Sequence, residues 1–298
     1  YIPTYVQVVV TSGSVLALTA AGLLFYFQCE LIYPARFPEG SRVHVAKPSE
    51  YGMNYTEEIL TTKDGIKIRA YICILPTDAV NRPTILFFHA NAGNMGHRLP
   101  IAQKFFLQFK CNVVLISYRG YGLSEGTPNE KGLRIDAQTL LDFVLNHEVL
   151  KKTKLVAYGQ SLGGAVSIDL VSRNEDKFSG MILENTFLSI PKVIPHVMPA
   201  LRYLTFLCHQ IWPSEKYIQQ IAHTPILFLS GKRDELVPPF HMRTLHDLSI
   251  TSEAKIFKEF VYGTHNDTCL QPEYFDVVYE FLKREVLLED VTREWVTV

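Results

Sequence analysis

From residue 57 onward the chain alternates between two hydrophobic rhythms. Segments 57–62 and 66–75 flank Asp64-Gly65, a dipeptide suited to the positive φ values of a tight hairpin. Beyond them, 84–89, 112–118, 154–159, 180–184, 225–230 and 254–261 are short runs rich in β-branched and apolar residues. Strands covered on both faces read this way, because neither side of the pleat meets water. Between them, 98–109, 129–146, 162–173, 240–247 and 273–284 carry apolar residues at the three- and four-residue spacing of helices lying on a sheet. A hairpin followed by strand–helix alternation predicts an α/β domain with eight strands, mostly parallel, and helices on both faces.

Two intervals depart from this rhythm. Residues 6–27 are dominated by Val, Leu, Ala and Phe, and no charged side chain precedes Glu30. As a helix that run is about 33 Å long, against a bilayer core of about 30 Å, so 1–28 is predicted to be a single transmembrane anchor and the bilayer a partner. A signal peptide is the competing reading, but its apolar region is shorter, about 7–15 residues. Arg36, Arg42 and Lys47 follow the run and incline orientation toward a cytoplasmic catalytic domain without deciding it. Residues 29–56, punctuated by Pro34, Pro38, Gly40 and Pro48, read as a linker; 57–287 is the predicted catalytic domain and 288–298 a C-terminal tail. The second departure lies between the strands at 180–184 and 225–230, where an ordinary connection takes only about 2–6 residues. This interval is apolar and interrupted by Pro191, Pro195, Pro199 and Pro213. It predicts a short apolar lid, about 186–218, over the active site; a scaffold crossover is the alternative.

Composition narrows the chemistry. The chain has 298 residues, 47% of them hydrophobic and 20% charged, with a formal net charge of −1. One large core fits that length, and the basic footprint of a nucleic-acid binder is missing. Cys29, Cys73, Cys111, Cys208 and Cys269 are scattered, with no paired or metal-ligand spacing, so no disulfide framework, metal or cofactor is expected. Gly120-Tyr121-Gly122 lacks the spacing of a dinucleotide loop. The sequon at Asn266 adjoins a candidate catalytic His and is read as a chance match.

Gly159-Gln160-Ser161-Leu162-Gly163 matches G-x-S-x-G between a predicted strand and a predicted helix. That context is a nucleophile elbow, a sharp turn presenting Ser161 at a helix N-terminus. His265, in Gly263-Thr264-His265-Asn266-Asp267 after the last strand, is the candidate general base, since imidazole accepts and returns a proton near neutrality. Asp234, after the strand ending at 230, completes the order Ser, Asp, His and is expected to orient the ring; Glu235 and Asp267 compete for that role. The backbone amides of Leu162 and Asn91 are the candidate oxyanion donors, Asn91 lying in the polar loop after the first parallel strand.

These motifs, with Tyr118-Arg119-Gly120-Tyr121-Gly122-Leu123-Ser124-Glu125-Gly126 and Val237-Pro238, resemble the α/β-hydrolase superfamily. The block 89–100, beginning His89-Ala90-Asn91-Ala92-Gly93-Asn94, together with the N-terminal anchor, is similar to the membrane-bound bud-emergence type of α/β-hydrolase domain proteins. The resemblance spans about residues 5–285 and implies the α/β-hydrolase fold and acyl hydrolysis. The expected activity is a membrane-anchored serine hydrolase cleaving an acyl ester or thioester, protein depalmitoylation included, with a lipophilic acyl ester or acylated protein as substrate. A serine aminopeptidase-like peptidase and a catalytically idle tethered scaffold are the alternatives. At Ala90 the chain departs from the superfamily, which usually has Gly there.

Overall fold

The computed structural model describes residues 4–288 of the chain. Its centre is an eight-stranded sheet: β1 (Thr56–Thr61), β2 (Lys67–Cys73), β3 (Thr84–Phe88), β4 (Asn112–Ser117), β5 (Leu155–Gln160), β6 (Phe178–Glu184), β7 (Ile226–Gly231) and β8 (Lys255–Phe260). The spatial order is β1-β2-β4-β3-β5-β6-β7-β8. The hairpin β1–β2 and the β2–β4 pair are antiparallel, and every other pairing is parallel.

The helices are α1 (Thr4–Ile32), α2 (Leu99–Gln103), α3 (Glu130–Asn146), α4 (Leu162–Arg173), α5 (Ile190–Val197), α6 (Ser214–Tyr217), α7 (Phe240–Leu248) and α8 (Tyr274–Phe281). Along β5 the side chains divide strictly by the pleat, Leu155 and Ala157 into one core and Val156 and Tyr158 into the other. The first core holds Leu140 of α3, Val166 of α4 and Met242 of α7, while the second holds Leu99 of α2 and Phe281 of α8. Both faces are therefore covered, which is why the central strands are apolar at consecutive positions.

Two predicted helices change pitch part-way. The stretch expected over 98–109 becomes α2 followed by a π-helical turn, Lys104–Gln108, and α8 runs into another, Leu282–Leu287. The wider turn lets Phe105 and Phe106 both enter the core, a difference that a spacing of three and four residues cannot express.

The ends of the predicted anchor and lid also differ. α1 continues to Ile32, and the segment expected as a linker is packed: Tyr33 is 2% exposed and belongs to the main core. Within 186–218, Phe187, Leu188 and Trp212 are buried in the domain, and only the middle stands out, as α5 and two 3₁₀ turns, Pro199–Leu201 and Thr205–Leu207. The predicted tail lies outside the described residues except for Leu288.

Candidate active site

β5 delivers Ser161 at its carboxyl end, and α4 begins at the next residue. Ser161 sits at φ 53°, ψ −117°, a conformation few residues with a Cβ adopt. Neighbouring contacts hold it there: its amide donates to the Glu184 carbonyl (2.9 Å), and its own carbonyl accepts from Thr186 Oγ1 (2.7 Å). The elbow closes only with glycine at its flanks. A Cβ on Gly159 would lie 2.1 Å from the Gly163 carbonyl oxygen, and one on Gly163 would lie 2.0 Å from that of Phe88. The second contact sets the loop that follows β3 against the elbow.

His265 follows β8, and its Nε2 stands 3.1 Å from Ser161 Oγ. Its Nδ1 is 2.7 Å from Asp234 Oδ2, on the loop after β7. The other Asp234 oxygen accepts from the amides of Leu236 (2.9 Å) and Val237 (2.8 Å), which fixes the carboxylate plane. The rival acids are engaged elsewhere: Glu235 accepts from the His265 backbone amide (3.3 Å) and Asp267 from that of Thr264 (2.6 Å). Ser161, Asp234 and His265 are all buried, so the hydrogen-bonded chain lies largely out of water.

Leu162 opens α4, and its amide is one of the first-turn N–H groups that make up the positive end of the helix dipole. Asn91 lies in the loop held by Gly163. Its carbonyl accepts from Tyr121 Oη (2.8 Å), and its side-chain amide donates to the carbonyl of Ile32, the last residue of α1 (3.2 Å).

Several residues support the site in roles that the sequence motifs did not assign, even where, like Gln160, Arg98 and His89, they stand inside a motif. Asn185, at φ 46°, donates from Nδ2 to the carbonyls of Thr264 (3.1 Å) and His265 (3.2 Å) and accepts from the Gly231 amide (2.8 Å). One side chain thereby ties together the ends of β6, β7 and β8. Its signal was an Asn directly after a strand, a residue type tolerant of positive φ. Gln160 donates to the His265 carbonyl (3.1 Å) and accepts from the half-buried Arg98 (3.1 Å). Beneath them, Glu184 accepts from Tyr158 and Tyr274, each at 2.5 Å, and burial raises its carboxyl above the usual range. His89 is buried with Nδ1 2.7 Å from the Ala90 carbonyl, and burial lowers its pKa to about 3. That leaves it neutral and structural. Among the described residues, no cluster of three or more His, Cys, Asp or Glu is placed to hold a metal.

An apolar cavity of about 160 Å³ lies between α1 and the lid. Leu24, Gln28 and Ile32 of α1, Val193, Leu201 and Leu204 of the lid, and Asn91 of the loop after β3 line it. Ser161 and His265 do not line it, and the loop of Asn91 is the link between them.

This strand order, with a strained serine between β5 and α4 and an Asp–His pair from the loops after β7 and β8, is the architecture of the α/β-hydrolases. A family model described as "Serine aminopeptidase, S33" matches residues 79–220, a span that includes Asn91, Ser161 and Leu162. Among solved structures, an esterase of Pyrococcus furiosus superposes with a TM-score of 0.68 at 19% identity, covering 82% of this chain and 96% of that one. Protein bem46 of Schizosaccharomyces pombe is 48% identical over 266 residues, 89% of each chain. A protein of Saccharomyces cerevisiae described as an uncharacterized membrane protein is 44% identical over 276 residues, 91% of this chain and 94% of its own. The chain belongs to the α/β-hydrolase superfamily and, within it, to the bem46 type.

Proposed function

We propose that this hydrolase is a membrane-anchored serine hydrolase acting on acyl esters or thioesters through Ser161, His265 and Asp234. The observation that carries the reading is the continuous chain Asp234 Oδ2–His265 Nδ1 (2.7 Å) and His265 Nε2–Ser161 Oγ (3.1 Å) on a strained elbow. In the first half-reaction His265 Nε2 takes the Ser161 proton as Oγ bonds to the acyl carbon. Asp234 steadies the imidazolium, and the amides of Leu162 and Asn91 receive the oxyanion. Collapse breaks the bond to the alcohol or thiol, which leaves with the proton from His265. Water, deprotonated by the same ring, then clears the acyl-enzyme and regenerates free Ser161.

The apolar cavity beside Asn91 supports a lipophilic acyl substrate, whether an ester or an acylated protein, and protein depalmitoylation falls within that class. α1 supports a single membrane-spanning anchor, because its 22-residue apolar stretch Thr11–Ile32 is long enough to cross a bilayer and is almost entirely uncovered by the protein. The description of the matching family model favours a second reading, a peptidase acting on N-terminal residues. A fluorophosphonate probe should label the protein covalently and fail to label Ser161→Ala. An unlabelled wild type would instead favour an idle scaffold. With labelling established, octanoyl esters and thioesters should be cleaved faster than aminoacyl amides; the reverse order would favour the peptidase.

A further inference from the structure

α1 is more than a tether. Its 29 residues make a helix about 43 Å long, against a hydrocarbon core of about 30 Å, long enough to cross the core and still pack its last turns on the domain. Those turns are fastened to the lid and to the active-site loop. Gln28, 5% exposed, donates to the Leu207 carbonyl (3.2 Å) and accepts from the His209 amide (2.8 Å). Tyr33 Oη donates to Gln210 (2.9 Å) and accepts from Trp212 Nε1 (2.8 Å). The Ile32 carbonyl holds the side chain of Asn91 (3.2 Å), so the helix end bears on the loop that is to supply an oxyanion donor.

The cavity between α1 and the lid has a neighbour along the same helix. A second, open groove of about 600 Å³ runs farther up α1, past Leu23, Ala21 and Ala17, toward the bilayer. The two adjoin, sharing Leu24, Leu31, Leu201 and Leu204 as walls, and apart from Glu30 at its edge the outer groove is lined by apolar side chains. The inner part, about 160 Å³, is comparable with the roughly 150 Å³ of an apolar cavity that stays dry and admits a benzene-sized ligand. It therefore takes a segment of chain rather than a whole lipid, and the remainder must lie in the outer groove. Small residues at Ala17, Ala20 and Ala21 leave space for that remainder along the helix.

We propose that α1 is one wall of the acyl site. The acyl chain of a bilayer-resident ester slides sideways out of the hydrocarbon, along α1 and under the lid, until its carbonyl reaches Asn91 and Ser161. This inference rests on the hydrolase reading and adds to it the route and the selectivity of the substrate. The occupant is a long acyl chain held in a membrane, and its carrier can be a glycerolipid or an S-acylated cysteine.

The test uses the full chain in phosphatidylcholine nanodiscs. Leu31→Trp and Leu201→Trp fill the cavity and the groove from α1 and from the lid. Each is expected to lower the ratio of kcat/KM for p-nitrophenyl octanoate over acetate at least tenfold. Because a filled cavity can also disturb folding, a second measurement uses Ser161→Ala protein and a palmitoyl chain carrying a diazirine at its end, borne either by a glycerolipid or by an S-acyl cysteine peptide. Photocrosslinks are expected in the peptides covering 17–32 and 193–208, and the carrier that labels more strongly identifies the natural source. An unchanged chain-length ratio in both variants, or crosslinks confined to other surfaces, overturns the proposal. Failure of Ser161 in the wild type to react with a fluorophosphonate overturns the underlying hydrolase reading instead, so the two failures are told apart.

Discussion

At Ser161 a non-glycine residue holds a backbone conformation that costs on the order of 1–3 kcal/mol, and the hydrogen bonds to Glu184 and Thr186 hold it in place. The three polar side chains are joined by hydrogen bonds, and the proposed proton path through them predicts that their losses do not multiply. Ser161→Ala and His265→Ala are each expected to lower turnover roughly 10³-fold or more, and the double variant little further. Steady-state kinetics reporting the product of the two single losses would disprove the assignment. Two histidines outside the path shape the stability profile. Burial lowers the pKa of His89 to about 3, with Arg98 and His97 adding to it, and that of His241 to about 4, with His196 and Lys192 adding to it. Both stay neutral in the native state while the unfolded chain protonates them near pH 6.5. A folded pKa below the unfolded one means that their contribution is complete above pH 6.5 and drains as pH falls toward 4 and then 3. Each histidine adds a slope of up to about 1.4 kcal/mol per pH unit. Urea midpoints followed from pH 7 to 4 should decline less steeply in His89→Gln and His241→Gln than in wild type, whatever their absolute stabilities.

Among the elements, the join between α1 and the lid has the largest consequences. The Tyr33 hydroxyl stands between Trp212 and Gln210 inside the core, and Gln210 Oε1 also accepts from the Glu130 amide at the start of α3 (2.6 Å). Tyr33→Phe leaves the Trp212 N–H without that acceptor, a loss of about 1–3 kcal/mol. The expected result is a lower urea midpoint at unchanged m-value. A midpoint equal to wild type would mean that the Tyr33 hydroxyl does not help hold residues 29–56 on the domain. The opposite edge is joined by Arg119, which pairs with Asp64 in the β1–β2 turn (2.7 Å) and with buried Asp136 of α3 (2.8 Å). Sequence pattern identified both the Asp64-Gly65 turn and the helix but had no means of connecting them, because ion pairs across the chain have no period.

For the whole molecule, α1 and the lid together carry several well-exposed large apolar side chains: Leu23, Tyr26, Tyr203 and Phe206 are all more than half exposed. Exposure of that kind on a domain with two well-filled cores marks a surface meant for something other than water. The full chain is expected to remain in the membrane pellet after extraction with alkaline carbonate, whereas removing residues 1–20 should release it. Release of the intact protein by carbonate or high salt would contradict a spanning helix.

The strand rhythm, the glycines of the elbow and the chain order Ser161, Asp234, His265 were enough to predict the class of fold and a short list of site residues. Each of these is written locally: a period reports which face is buried, and a glycine reports where backbone approaches backbone. Tertiary structure decided the rest. Chain order favoured Asp234 over Glu235 and Asp267, but only the path of the loops after β7 and β8 sends Asp234 to the ring while the other two cap backbone amides. Residues 29–56 lack a period because they cross the surface of the domain irregularly, yet Tyr33 meets Gln210 and Trp212 across 177 and 179 residues of chain. The apolar run of α1 looks the same in sequence whether it faces lipid or protein. That its last turns form a wall beside the lid follows from packing, which is a property of pairs of distant segments and is absent from either segment alone.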